Sequence, residues 1–424
     1  MSLEQTLAVS AGKASLLDSL SFDVPPSAPY VTTRRSCYSY PSSGSTYSYN
    51  TQRVIRIPIT SDGGEWLDPS TLRVQLTLTN DHPNVQTFTA LDPMCLIHRL
   101  RIFMAGTLVE DVMYANRVNE LMRAMSPPGT NTNDGIEGFG VQQIDYVHAA
   151  NSAELFTLQP GTSITVSLRL NRVSGLLSCG KDFPLRFAPL TLELELADGA
   201  LFMNTLDGLR NSNYTITSAC CRHDFITLDS SLESEFVSKL LSNKQLLLAF
   251  NSFHVLYQTL GTSNDTTIAV QRAFTRLNKL FCFFAVDASA PIDTFLFPTV
   301  PSAGSHHDRK NYKWQISLGS RNFPERRVET IDEMYAMLSA AAGRDQTGQI
   351  RPWSISGQQF MGNRHILGCN FMRTPTFGSG VSTRAGDVIR LALYDRSPNY
   401  NAAWLVPQSD VMISITESGV QVMD

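Results

Sequence analysis

The chain has 424 residues, 42% of them hydrophobic, 17% charged, with a formal net charge of −4. That length exceeds one ordinary core and predicts two domains of roughly 150–200 residues. The small negative charge excludes a global field that would draw the whole surface onto nucleic acid or membrane.

Residues 1–50 read as an N-terminal arm. Ser2–Leu20 has a weak helical period in Leu3, Leu7, Leu16, Leu17 and Leu20, ended by Pro25, Pro26 and Pro29. The Ser/Tyr-rich stretch that follows holds Arg34 and Arg35, no carboxylate and few aliphatic residues, so it is expected to be extended and to become ordered against something else. Nothing in Met1–Leu20 resembles a signal peptide, and no apolar run reaches the ~20 residues of a membrane span, so the chain reads as soluble and intracellular. Seven scattered cysteines with no CxxC spacing fit reduced thiols.

From Thr51 the period becomes two. TQRVIRIPI and TLRVQLTLTN alternate polar and apolar residues, as half-buried antiparallel strands do. HRLRIF continues as a strand, breaks at Gly106, and after a polar loop is expected to enter a helix over 117–125. A Gly/Asn/Asp-rich loop fills about 129–152, followed by strands TSITVSLRL and PLTLELELA. Residues 231–248 are predicted as a linker helix capped by Ser230 or Ser231, which places a domain boundary near 225. The second half restarts with NSFHVLYQTL and TTIAVQRAF around GTSND, a loop of hairpin type, then the buried run LNKLFCFFAV. WQISLGSRNFPERRVETIDEMYAML repeats the strand, glycine and helix pattern, with a helix expected over 331–341; RHILGCNFMR, AGDVIRLALYD and SDVMISITES close the chain as strands.

The repeat has a spacing. Gly106 to Glu120 and Gly319 to Glu333 are each 14 residues. SITVSLRL is paired with DVIRLAL and TLELEL with MISITE, so strand, helix, loop, strand, strand recurs twice. The predicted fold class is mainly β: two consecutive eight-stranded jelly-roll sandwiches with a few short helices, divided as arm 1–50, first roll 51–225 and second roll 226–424.

No enzyme signature survives inspection, and no catalytic, cofactor-binding or metal residue is assigned. There is no GxSxG elbow and no phosphate loop; Gly343-Arg344 reads as a helix end. His306-His307-Asp308 lacks a third ligand spacing, and His98, His254 and His365 read as structural. Glu193 and Glu195 mark the solvated face of a strand more simply than a glycosidase pair, and Glu110-Asp111 carries no more weight. Arg34-Arg35 and Arg326-Arg327 are short basic pairs. Trp66, Trp314, Trp353 and Trp404 do not cluster in sequence.

WQISLGSRNFPERRVETIDEMYAML, LDPMCLIHRLRIFMAGTLVEDVMYANRVNELM, PLRFAPLTLELEL and STRAGDVIRLALYD together resemble the double jelly-roll major capsid proteins of tailless double-stranded DNA viruses, of the polinton-like virus and virophage type. The resemblance touches both halves and about a quarter of the chain. It implies a homotrimeric, pseudo-hexagonal capsomer tiling an icosahedral shell around a DNA genome. Partners would be neighbouring capsomers, penton and minor capsid proteins, with the arm near an internal membrane or the genome, and the location the virion after synthesis in host cytoplasm or nucleus. The alternative from the residues is a two-domain jelly-roll glycan-binding or glycan-cleaving protein.

Overall fold

The computed structural model describes residues 31–126, 139, 156–296, 312–342 and 355–423, apart from positions 62, 91, 206, 207, 212, 243, 293, 294, 356, 363, 375, 376 and 385. Eight principal strands form each half. In the first they are β1 (Val31–Ser39), β2 (Val54–Ile59), β3 (Glu65–Thr79), β5 (Ile97–Met104), β6 (Thr107–Met113), β8 (Ser163–Leu168), β10 (Leu190–Leu196) and β12 (Thr215–Leu228). The second has β13 (Leu246–Phe253) continued by β14 (Leu256–Thr259), then β15 (Thr266–Val270), β16 (Leu277–Ala285), β17 (Lys313–Leu318), β18 (Arg321–Val328), β19 (Leu367–Asn370), β20 (Ile389–Tyr394) and β21 (Ala402–Thr416).

Both halves have the same topology. One sheet runs β1-β12-β3-β8 and its counterpart β13-β21-β16-β19; the other runs β2-β10-β5-β6 and its counterpart β15-β20-β17-β18. In each half the first, eighth, third and sixth principal strands make one sheet, and the second, seventh, fourth and fifth the other. That is a jelly roll, twice. Smaller strands attach around the rolls: β4 (Gln86–Phe88), β7 (Thr157–Leu158) and β11 (Met203–Thr205) form a three-stranded sheet. β9 (Phe183–Pro184) extends the β3 sheet, and β22 (Gly419–Met423) lies on β21.

Strand patterning follows the alternation read from sequence. Leu72, Val74, Leu76 and Leu78 of β3 are buried, and the residues between them stay half-exposed. β3 extends back through Pro69, where its pairing with β12 loses register between Arg222 and Asp224; a strand tolerates proline at such an irregularity because no ladder hydrogen bond is needed there. β16 lies between β21 and β19 and is buried on nearly every residue, as its continuous apolar run requires.

Four expectations are corrected. Residues 31–39, placed in the arm, form β1, paired with β12 from Val31 opposite Leu228 to Ser39 opposite Cys221; the Ser/Thr/Tyr composition serves an exposed sheet edge, where backbone pairing supplies the order and no apolar face is needed. Residues 1–30 lie outside the described residues. The linker helix is α2 (Ser230–Leu241), following α1 (Ala115–Ala124) and preceding α3 (Ile331–Ala342). It starts one residue earlier than expected because Asp229 is the cap, its carboxylate accepting from Ser231 N at 3.0 Å. It ends early because Leu246–Phe253 pair with β21, which buries Leu248 and Phe250; a Leu-Leu-Leu run satisfies either period, and the sheet partner decides. Gly106 and Gly319 do not open polar loops. Both have positive φ (79° and 58°) and turn β5 into β6 and β17 into β18, paired hairpins that precede α1 and α3. GTSND joins β14, paired with β21, to β15, paired with β20, so it crosses between sheets.

The duplication holds, with a different strand correspondence. Leu190 of β10 pairs with Met104 of β5, and Ile389 of β20 pairs with Leu318 of β17. TLELEL therefore corresponds to DVIRLAL, and MISITE to β12, one strand away from the pairing proposed on sequence. Alternating strands look alike one at a time; only their partners distinguish them.

Candidate functional site

The site with the most unusual chemistry is the seam between the two rolls, which forms around α1. Every residue of α1 except Met122 is buried, although the sequence ANRVNELMRA includes Asn116, Arg117, Asn119, Glu120 and Arg123. A helix this polar gains nothing from a lipid-like core, so its groups need partners on both sides. Arg117 reaches across to the second roll. Its guanidinium lies 4.0 Å from the centroid of the Trp404 ring, donates to the Ala290 carbonyl at 2.8 Å, and lies 3.4 Å from that of Ala288 and 3.5 Å from that of Pro291. A planar cation with several fixed donors suits this place, since it stacks and donates at once. Arg123 donates to the Glu120 carboxylate at 2.8 and 3.0 Å within the helix, and Arg172 donates to Asp92 at 2.8 Å.

Aromatic rings continue the seam. His98 packs against Tyr114 (4.9 Å), Tyr114 against Tyr257 (6.4 Å), Tyr257 against Trp404 (5.1 Å), and Trp404 stacks on Phe283 (5.5 Å). The row starts on β5 of the first roll and ends on β16 of the second.

A second contact lies on β6. Glu110 is buried; its carboxylate accepts from Gly175 N at 3.0 Å, Leu176 N at 3.4 Å and the Ser174 hydroxyl, with Ser252 of β13 also hydrogen-bonded to it. At Gly175 the rolls approach so closely that a Cβ there would sit 1.7 Å from the Asn251 carbonyl oxygen. Beside it a cleft of ≈ 300 Å³ opens between the rolls, lined by Leu108, Asp111, Met113, Ser252, His254 and Arg272 among others.

Burial pushes the Glu110 carboxyl up to about 7, against the hydrogen bonds that favour its charged form. The folded chain therefore holds this proton over a range in which the unfolded chain, near 4.5, has released it. The resulting stabilisation is complete below pH 4.5 and is lost as pH rises to about 7, worth on the order of 3 kcal/mol. Glu110→Gln keeps the shape without the titration. Chemical denaturation of both proteins between pH 5 and 8 should show stability falling more steeply with pH in the parent; parallel slopes would refute the assignment.

The residues weighed on sequence are dispersed. Glu193 does not mark a solvated face: it is buried between Arg56, which donates to it at 3.0 Å, and Arg101, with which it is paired. Glu195 pairs with Arg53 at 3.0 Å, and Asp111 with Arg99 at 2.6 Å, so this outer sheet face is a cross-strand charge ladder. The pattern carried the alternation, and the register supplied the arginines. Arg34 bonds Asp224 and Asp68, and Arg35 bonds Glu65, all within the first roll. Arg327 lies 3.9 Å from the Tyr394 ring centroid and Arg326 is exposed. His365 is buried against the Tyr312 hydroxyl at 2.7 Å, burial lowering its pKa to about 3; His98 is likewise lowered by burial, and His254 packs on Phe274. Trp66 meets Phe236 of α2, and Trp314 is buried in the second roll. His306, His307, Asp308, Gly343, Arg344 and Trp353 lie outside the described residues. Among the described residues no three His, Cys, Asp or Glu are grouped to share a metal ion, and no helix is long and apolar enough to cross a membrane. Arg117, Glu110, Gly175 and Trp404 carry the seam without any motif; the one signal available was an amphipathic helix whose polar face includes two arginines and two asparagines.

No family model matches the sequence, and no curated protein matches it. Solved structures do. VP54 of PBCV-1, as a crystal structure fitted into a cryo-EM reconstruction of the virophage Sputnik, superposes with a TM-score of 0.62 at 10% identity, covering 95% of this chain and 99% of that one. The cryo-EM structure of the Sputnik virophage itself gives 0.61 at 11% identity, covering 96% and 91%. The Faustovirus major capsid protein gives 0.57 at 7% identity, covering 93% and 92%. Coverage that complete, across both rolls and the seam, makes this chain a double jelly roll with the fold of these viral capsid proteins.

Proposed function

We propose that the chain is a viral major capsid protein, self-assembling as a homotrimer whose two rolls per subunit give a pseudo-hexagonal capsomer, and that such capsomers tile an icosahedral shell around a DNA genome. The observation that carries the reading is the pair of topologically identical rolls locked by a buried polar seam. A rigid two-roll unit repeats one building block twice per chain, which is what a near-sixfold tile from three copies needs. Its role is structural and non-enzymatic, its place the virion, and its partners further copies of itself with penton and minor capsid proteins. We take residues 1–30 as the arm that contacts neighbours, an internal membrane or the genome, with the first roll ending near 225.

Mass in solution tests this directly. The purified chain should run as a species near three times 46.9 kDa, or as larger shells. A clean monomer with glycan-cleaving activity would replace the capsid reading by the enzyme alternative.

A further inference from the structure

The cleft of ≈ 300 Å³ between the rolls takes its lining from both of them. Val109 of β6 and Val411 of β21 are buried in it, and Leu256 of β14 is half-buried. Leu108 and Met113 of β6 and Val422 of β22 border it while 42%, 39% and 38% exposed. Solvent-facing positions of an edge strand ordinarily carry polar groups, as Asp111 does between Leu108 and Met113. Three large apolar side chains from two rolls that converge on one opening form a patch of the kind that receives an apolar partner. Met113 adds an unbranched, polarizable side chain that adapts to what lies against it.

The polar part of the lining favours an anion. Asp111 is already matched, since Arg99 donates to both of its oxygens at 2.7 and 2.6 Å. Arg272, just beyond β15, and His254, between β13 and β14, both pack against the Phe274 ring, at 5.8 and 5.5 Å from its centroid. One buried ring therefore gathers the two basic side chains at one part of the cleft. A guanidinium has several N–H donors in a planar fork, more than any one partner consumes, and that fork matches a carboxylate. Size narrows the ligand further. An apolar cavity of about 150 Å³ holds one benzene. A cleft of ≈ 300 Å³ on that scale takes a single chain of roughly ten carbons, not the paired tails of a phospholipid.

We infer that the cleft is a binding site for a medium-chain carboxylate, its tail against Leu108, Met113, Leu256 and Val422 and its head on Arg272 and His254. Such a ligand touches β6 of the first roll and β14 and β22 of the second at once, so its occupancy fastens the rolls together from outside the buried seam. Because it binds only where the rolls meet, the melting temperature rises with its concentration by mass action. The site is built within one chain and does not depend on assembly.

Calorimetric titration of the full-length chain with sodium decanoate, alongside hydrogen exchange, tests this. Binding should saturate at one decanoate per chain, with new protection over β6 and over β13–β14. Octanoate, shorter by two methylenes, should bind roughly fifteenfold more weakly, at about fourfold per methylene. Arg272→Gln, at an exposed position, should weaken decanoate on the order of tenfold or more. It should leave decyltrimethylammonium, with the same tail and the opposite charge, no weaker. Val422→Trp fills the mouth from an exposed position and should abolish decanoate binding, with circular dichroism and melting like the parent; Leu108→Trp replaces it if folding is disturbed. Heats that never saturate, parent-like decanoate affinity in either variant, or protection confined to other segments overturn the site. Binding to phosphatidylglycerol vesicles without binding of monomeric decanoate also overturns it and assigns the patch to a membrane. A ligand-free chain already protected at these strands, and binding no decanoate, overturns it in favour of a second copy as occupant. Each of these results leaves the capsid reading standing.

Discussion

Replacing Arg117 with alanine is expected to destabilise the chain by about 3 kcal/mol, lowering the melting temperature by roughly 3 °C when all 424 residues unfold together. The guanidinium is buried, stacked on Trp404 at 4.0 Å and bonded to the Ala290 carbonyl at 2.8 Å. Alanine removes a desolvated cation–π contact, worth ~2 kcal/mol or more, and takes the donor from a carbonyl in the interior. It also opens a cavity against the indole. Arg117→Lys tests geometry against charge: an ammonium keeps the cation, yet it cannot stack flat and reach the same carbonyls, so most of the loss should persist. Trp404 fluorescence provides a local reading, because losing the stacked cation changes the indole environment even if the fold survives. A change below ~1 kcal/mol with unaltered fluorescence would show that Arg117 does not hold the seam.

Gly175→Ala is expected to cost about 3 kcal/mol, at the upper end for forcing atoms into a packed interior. The cause is spatial: Gly175 has ordinary helical dihedrals (φ −71°, ψ −33°), so a side chain brings no backbone strain. The new Cβ would meet the Asn251 backbone oxygen at 1.7 Å, and backbone cannot rotate away as a flexible side chain can. Either β13 moves off the 174–176 segment, releasing the hydrogen bonds to Glu110, or the two rolls shift apart. Denaturation should show the loss, and hydrogen exchange should show it first at β6 and β13. Gly180→Ala is the control, at a positive-φ turn with open space around it; it should cost about 1–2 kcal/mol from left-handed backbone alone, and protection at the seam should be unchanged.

How the seam relates to the sequence is instructive. Alternation in β3 and the continuous apolar run of β16 announced which residues face inward, because one or two buried faces leave a periodic mark. The glycine turns at 106 and 319 were visible for the same local reason, and their common spacing to Glu120 and Glu333 pointed to the duplicated corner. The strand after each glycine was missed: TLVEDVM and RNFPERRV carry charged and polar residues that mimic a loop, and it is pairing with β5 and β17 that makes them strands.

β1 shows the same limit. Its residues bury no apolar face, so nothing in VTTRRSCYS marks it as part of a roll until its backbone meets β12. Glu193 looked solvated because periodicity places it on the outward face; the register then sets Arg56 and Arg101 on either side and buries it. Strand-to-strand correspondence between the rolls likewise needed the partners of β10 and β20.

The sequence by itself determined the β class, the two-domain organisation, the recurring strand–glycine–helix corner and the inward faces of most strands. All of these follow from local periodicity and turn chemistry, which each residue carries wherever it sits. Only the tertiary structure decided that 31–39 belongs to the first sheet, that 246–253 leaves the helix for a strand, and that Arg117, Glu110 and Gly175 meet the second roll. Those outcomes depend on which distant backbone or ring comes within a few ångströms, and that information belongs to pairs of residues far apart in the chain.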